Sequence, residues 1–208
     1  MSETEGVGFV VKSQKGLKAR RLLFGAAFSL IGEGGVKDLS VRDVCEYAGL
    51  KRTSFYNYFQ SIDDLLDQLA KSEIEAFDQA FAKRNPRISR GAERLAKETL
   101  HLLKRVEQDK AWGNFIFRVL LQDRHSLDAA KRQVAIDIRA AVKEGTFVLS
   151  SDDIEPYNKL FMAGMVAPIR QLISSNDVDN LGERTVRMLL MAGGANAERV
   201  TALLKNSS

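Results

Sequence analysis

From Gly16 onward the chain reads almost entirely with the period of an α-helix, which leaves few architectures open. Leu23, Ala27, Leu30 and Ile31 recur at i, i+4, i+7 and i+8, marking one buried stripe. Gly34-Gly35 predicts the end of that helix, because glycine accepts the left-handed backbone at a C-terminus. Ser40-Val-Arg-Asp43 has the form of a capping box, and Ser61-Ile-Asp-Asp64 repeats it further along. Between the boxes lie a helix of about eight residues, a turn at Gly49 and a second short helix ending near Phe59. From Ile62 a long helix is predicted to about Lys83, with Leu65, Leu66, Leu69, Ile74, Phe77 and Phe81 on its apolar face. Pro86 and the polar stretches 123–126, 150–153 and 174–177, with Gly145, divide the rest into helices near 89–108, 111–122, 126–144, 153–173 and 180–204. Only Val7 to Val11 has strand character. The expectation is an all-α fold of about nine helices.

Such a chain of 208 residues can bury a sizeable core without disulfides or a structural metal. Cys45 is the only cysteine, which excludes an intramolecular disulfide and a multi-cysteine zinc site and fits a reducing compartment. It reads as a small buried thiol. No apolar run approaches the roughly 18 residues needed to span a bilayer. Residues 1–12 open with acidic side chains instead of a basic signal-peptide region, so a cytoplasmic protein is expected. His101 and His125 lack metal-site spacing, and no phosphate loop, Gly-x-Ser-x-Gly elbow or His-Glu-x-x-His pair is present. Neither an enzyme nor a cofactor or metal site is expected.

The net charge is a modest +4, but it is unevenly distributed. Residues 9–62 hold nine basic and four acidic side chains, whereas the remainder holds 22 basic and 23 acidic ones. Excess positive charge confined to one end suits a part that meets phosphate.

Two short helices joined through Ala48-Gly49-Leu50, within that basic region, suggest a helix-turn-helix whose second helix enters the major groove of double-stranded DNA. The first would bury Val44 and Cys45 and present Arg42. The second, read as Lys51 to Tyr58, is dense in donors: Lys51, Arg52, Thr53, Ser54, Tyr56, Asn57 and Tyr58. Phe55 and Phe59, spaced i, i+4, would anchor it and leave those donors facing DNA. Lys and Arg suit phosphates and guanine edges, Asn suits adenine, and Tyr hydroxyls donate to phosphate oxygens.

These residues resemble the tetracycline-repressor (TetR) family of bacterial transcription regulators over about residues 20–66. The resemblance is carried by Arg20, Leu23-Phe24, Ala26-Ala27, Leu30-Ile31 and Gly35, by Leu39-Ser-Val-Arg-Asp-Val44, and by Ala48-Gly49-Leu50. Phe55-Tyr-Asn-Tyr-Phe59, Ser61 and Asp64-Leu65-Leu66 complete it. It implies that Ser40 caps the second helix beside a phosphate, that Arg42 touches backbone or base, and that Tyr56 and Tyr58 donate to phosphates. Arg52, Thr53, Ser54 and Asn57 would read bases. The chain departs from the family pattern at three positions. Lys51 stands where a serine cap is usual, Thr53 where glycine is frequent, and Ile62 where a phosphate-contacting lysine is common. Lys51 with Lys12, Lys15 and Lys18 of the arm would compensate for that lysine.

The implied organisation is a flexible arm (1–15), a helix-turn-helix domain (16–61) and a ligand-binding and dimerisation domain (62–208). As plain core, the aromatic segment around Trp112 and Phe115 needs no further explanation. The resemblance instead implies a small-molecule cavity, with Phe77, Phe81, His101, Trp112, Phe115, Arg118, Phe147, Met162 and Met165 as candidate lining. It also implies a homodimer through the last two helices, about 153–204, and dimers read paired half-sites. Pro168 should kink one of these helices, and Gly193-Gly194 either admits a close backbone or weakens the other. The expected function is a repressor released from a near-palindromic operator by a small molecule. The alternative is a DNA-binding adaptor whose back end binds a protein.

Overall fold

The structure, a computed structural model, describes residues 14–33, 39–122, 125–175 and 179–205. The expected strand-like run at Val7 to Val11, Lys12 of the arm and the Gly34-Gly35 stop lie outside the described residues, as does the side chain of Lys15. The described residues form eleven α-helices and no strand. These are α1 (Gln14–Gly32), α2 (Val41–Ala48), α3 (Arg52–Tyr56), α4 (Ile62–Arg84), α5 (Ala92–Gln108), α6 (Lys110–Leu121), α7 (Asp128–Lys143), α8 (Ile154–Gly164), α9 (Val166–Ser174), α10 (Leu181–Ala192) and α11 (Ala197–Lys205). The protein is all-α, with a helix-turn-helix at the N-terminal end.

The capping signals act where the sequence put them. Ser40 accepts from the Asp43 N–H while the Asp43 carboxylate accepts from the Ser40 N–H, closing the box at α2. At α4, Ser61 accepts from the Asp64 N–H, but Asp64 reaches one residue further back, to the Gln60 N–H at 2.9 Å. Gly49 ends α2 with φ 64° and ψ 32°, and the N–H of Leu50 returns to the Cys45 carbonyl at 2.9 Å.

Two expected helices are each broken in two. The stretch 153–173 divides into α8 and α9 at Gly164-Met165. Pro168 has no N–H for the Gly164 carbonyl four residues earlier, so the ladder stops there and restarts with the Ile169 N–H on Met165. The stretch 180–204 divides into α10 and α11 at Gly193-Gly194. Both readings of that pair hold. Gly194 adopts φ 94°, which ends the helix, and the Gly193 carbonyl accepts from the Val148 N–H at 2.9 Å. A β-carbon on Gly193 would lie 2.9 Å from the Tyr157 hydroxyl oxygen, so the close approach requires glycine. The short helix α3 also stops at Tyr56, earlier than expected, and a turn closed by the Tyr58 and Phe59 N–H groups on Phe55 leads to α4.

One apolar core runs through the molecule, from Leu23 and Ala27 on α1 to Val200 and Leu203 on α11. Helix α6 holds the front and back ends together. It packs against α1, where Phe28 meets Phe115 with ring centroids 5.6 Å apart and the Asn114 amide donates to the Gly32 carbonyl at 2.9 Å. Its other side packs on α9, whose last turn is capped by the Lys110 ammonium on the Leu172 carbonyl.

The Gly49 turn gives a direct test. Its space is open, so a substitution there meets only the backbone cost of the left-handed conformation. Gly49→Ala is expected to lower stability by about 1–2 kcal/mol. Gly49→Asn should cost less, both read by urea denaturation.

Candidate DNA-binding face and effector cavity

The front end is a small aromatic cluster with a polar surface. Phe55 and Phe59 are buried, with ring centroids 5.5 Å apart, and Phe59 lies 5.5 Å from Phe24 on α1. The Arg20 guanidinium sits 4.5 Å from the Phe24 ring centroid and donates to Gln68 on α4 at 2.8 Å. Gln68 in turn donates to Asp64 at 2.9 Å. Helix α3 is therefore fixed through Phe55 and, in the turn that follows it, Phe59, and its other residues are exposed or half-buried.

Lys51, Arg52, Thr53, Tyr56 and Asn57 are exposed, and Ser54 and Tyr58 are half-buried. None of the candidate residues of the second helix is buried. Ser40 is held in the cap of α2, and Arg42 is exposed and paired with Glu46 at 2.8 Å. Such an exposed pair contributes little, so Arg42 can exchange it for a phosphate at small cost. Cys45 is buried, and burial pushes its thiol up, away from the reactive thiolate.

In the back end, α4 to α9 line a cavity of about 120 Å³. Of the candidates from sequence, Phe77, Trp112, Met162 and Met165 line it. Phe81, His101, Phe115, Arg118 and Phe147 do not. Phe81 lies beneath the Arg94 guanidinium at 5.3 Å and beside His101, which stacks on the outer side of Phe77 at 5.2 Å. Burial and the neighbouring Arg84, Arg105 and Lys104 hold His101 below its ordinary pKa. Phe115 faces α1, and Phe147 packs edge-on against Tyr157 at 5.5 Å.

The cavity is mostly apolar; besides Thr99 and Gln133, its polar lining is three acids absent from the sequence candidates, Asp78, Glu98 and Asp137. Asp137 is almost fully buried and satisfied. It accepts from the Gly91 N–H at 3.1 Å and from Gln133 at 3.1 Å, and pairs with Arg94 at 3.3 Å. Arg94 also pairs with Glu98 at 3.1 Å. Glu98 and Asp78 are hydrogen-bonded to each other. Burial, opposed by Arg94, raises both, and Glu98 is pushed up to about 7. A sequence signal for them existed: Asp78 falls at i+4 from Ile74, and Asp137 at i+3 from Val134, inside apolar stripes. Among the described residues no group of three or more His, Cys, Asp or Glu is arranged to hold a metal ion.

Residues 23–69 match the family described as "Bacterial regulatory proteins, tetR family". The front end is a TetR-family DNA-binding domain. The chain as a whole has the TetR-family regulator fold. It is similar to RolR in complex with resorcinol, at TM-score 0.69 and 21% identity, over 92% of this chain and 95% of that one. It is also similar to TylP, a TetR regulator from Streptomyces fradiae, at TM-score 0.67 and 17% identity, over 93% of this chain and 96% of that one. A third similar structure is SmeT, the repressor of the Stenotrophomonas maltophilia multidrug efflux pump SmeDEF. Its TM-score is 0.62 and its identity 16%, over 83% of this chain and 89% of that one. The family match is thus confined to the front end and the likeness of the whole chain is one of fold; no helix among its described residues is long and apolar enough to cross a membrane.

The acid cluster has a measurable signature. A carboxyl raised from 4.5 to about 7 on folding keeps its proton longer in the native state, so its contribution to stability is lost as pH rises between those values. Its neutral analogue, Glu98→Gln, should therefore gain stability relative to the native sequence between pH 5 and pH 8. The gain is expected to reach at most about 3 kcal/mol, measured by denaturation at the two pH values.

Proposed function

We propose that the protein is a TetR-family transcription regulator, a homodimeric repressor released from a near-palindromic operator by a small-molecule effector. The observation that carries the reading is the placement of α6. One side of that helix, through Trp112 and Ile116, walls the cavity, and another, through Asn114 and Phe115, docks on α1 of the DNA-binding end. A ligand that fits only one position of α6 would bias the position of α1 and hence of the recognition helix. The cavity also favours a small molecule over a protein partner as the occupant of the back end. That RolR holds resorcinol and SmeT is a repressor agrees with this reading.

In the proposed complex Ser40, Tyr56 and Tyr58 meet phosphates, and Arg42 meets backbone or base. Lys51 adds a phosphate contact at the position of the missing cap. Arg52, Thr53, Ser54 and Asn57 read base edges. The division into an arm (1–15), a DNA-binding unit (16–61) and an effector and dimerisation unit (62–208) belongs to the same proposal. So does the dimer, which uses α8 to α11. Leu160 on α8 and Met188 and Met191 on α10 are large apolar side chains left exposed in the single chain, at 56%, 61% and 47%.

An operator obtained by in vitro selection is expected to be near-palindromic. On it, the double variant Lys51→Ala, Arg52→Ala should bind more than about tenfold more weakly, with a log–log salt slope shallower by about 2 per dimer. Unchanged affinity and slope would remove α3 from the interface. By light scattering the native chain should be a dimer at micromolar concentration, and Leu160→Glu with Met188→Glu should yield a folded monomer. A native monomer would refute the dimer.

A further inference from the structure

The cavity has an unusual polar end for so small a space, and its chemistry restricts what can occupy it. The inference rests on the effector reading above and deepens it. We infer that the effector is a mostly apolar molecule of about one ring in size that donates a hydrogen bond, through a hydroxyl or an ammonium, to the Asp78–Glu98 pair, and that carries no anionic group.

Size comes first. A dry cavity of about 150 Å³ in another protein holds benzene. The roughly 120 Å³ here therefore suits a single ring or a short chain of similar bulk. A larger occupant would extend past Leu120, Leu127 and Met162, which this cavity shares with a wider one of about 850 Å³.

Polarity comes next. The charged groups at this end are Asp78 on α4, Arg94 and Glu98 on α5, and Asp137 on α7, with Glu75 acting on Asp78 from its own helix. The walls from α6, α8 and α9 (Trp112, Ile116, Phe161, Met165 and Ile169 among them) carry no titratable group. Arg94 is not among the residues that line the cavity; it pairs with Glu98 and Asp137 and lies over the face of Phe81, so its charge is turned to those carboxylates and not to the occupant. Asp137 is filled by Gly91, Gln133 and Arg94. Asp78 and Glu98 remain, two carboxyls drawn together by one shared hydrogen bond. Such a pair retains acceptor lone pairs whichever oxygen holds the proton. It welcomes a donor and repels a carboxylate or phosphate.

The two donor sources differ in proton balance. An ammonium adds a positive charge, and the pair gives up its shared proton to solvent so that both carboxylates face the cation. A hydroxyl donates without changing the charge, and no proton need leave. With the last proton leaving Glu98 near pH 7, an ammonium should bind better at pH 8 than at pH 6.

The test uses the full chain and four one-ring probes: phenol, benzylamine, benzoate and toluene. Trp112 is the only tryptophan and lines the cavity, so its fluorescence reports occupancy, and titration calorimetry in two buffers counts released protons. Phenol, benzylamine or both are expected to bind about tenfold or more tighter than toluene and benzoate, the usual worth of a hydrogen bond to a charged group. Release of nearly one proton with benzylamine at pH 6 identifies an ammonium site, and tight phenol binding without release identifies a hydroxyl site. Glu98→Gln should reduce the preference over toluene to under about threefold while leaving toluene itself unaffected. Asp78→Asn, read the same way, serves if Glu98→Gln folds poorly. Benzoate binding as tightly as phenol, or a preference intact in both variants, overturns the inference. Toluene binding with no gain for either donor also overturns it and leaves the effector cavity standing. If none of the four probes changes Trp112 fluorescence or the melting temperature, the effector cavity falls with it.

Discussion

The contact of α6 with α1 is the constraint on which the rest of the molecule depends. Gly32 and Ala111 meet so closely that a β-carbon on Gly32 would lie 2.8 Å from that of Ala111. Phe28 against Phe115 and the Asn114 bond to Gly32 fix the same contact on either side. Close-packed surfaces of this kind slide as units and do not compress, so motion at one end of α6 must be passed to α1 or absorbed by breaking the contact. On the opposite side, Gly113 lets α6 approach Val106 and Ile173 equally closely. Helix α6 is gripped from both flanks, and a third strip of it forms the cavity wall.

The front end is stiffened by a different device. Arg20 lies over Phe24, reaches Gln68, and through it Asp64 at the start of α4. Phe24 contacts Phe59, which contacts Phe55. Helix α3, only five residues long, cannot be stable by itself, and its orientation is inherited from α1 and α4 through these rings. This is why an exposed row of polar side chains on a single helical turn can be presented as a rigid surface.

The aromatic residues of the back end show where one-dimensional reasoning stopped. Trp112 and Phe115 are neighbours on α6 and both buried, yet Trp112 lines the cavity while Phe115 turns to α1. A helical wheel places both in the apolar sector without saying which of two neighbours each will meet. His101 and Phe81 likewise share a stack behind the cavity wall. The acids were overlooked for the opposite reason. Carboxylates are ordinary on helix surfaces, and only the convergence of α4, α5 and α7 removes Asp78, Glu98 and Asp137 from water and forces them onto one another.

The sequence by itself determined the helical class, the two caps at Ser40 and Ser61, the turn at Gly49 and the outward set of α3, because each depends on residues within one or two helical turns. Pro168 and Gly193 marked real breaks for equally local reasons, a missing N–H and a missing side chain. The tertiary structure alone decided which apolar faces close on each other, where a void remains between them, and which charged groups are stranded at its edge. Those outcomes depend on contacts between helices far apart in the chain, and periodicity carries no record of the partner.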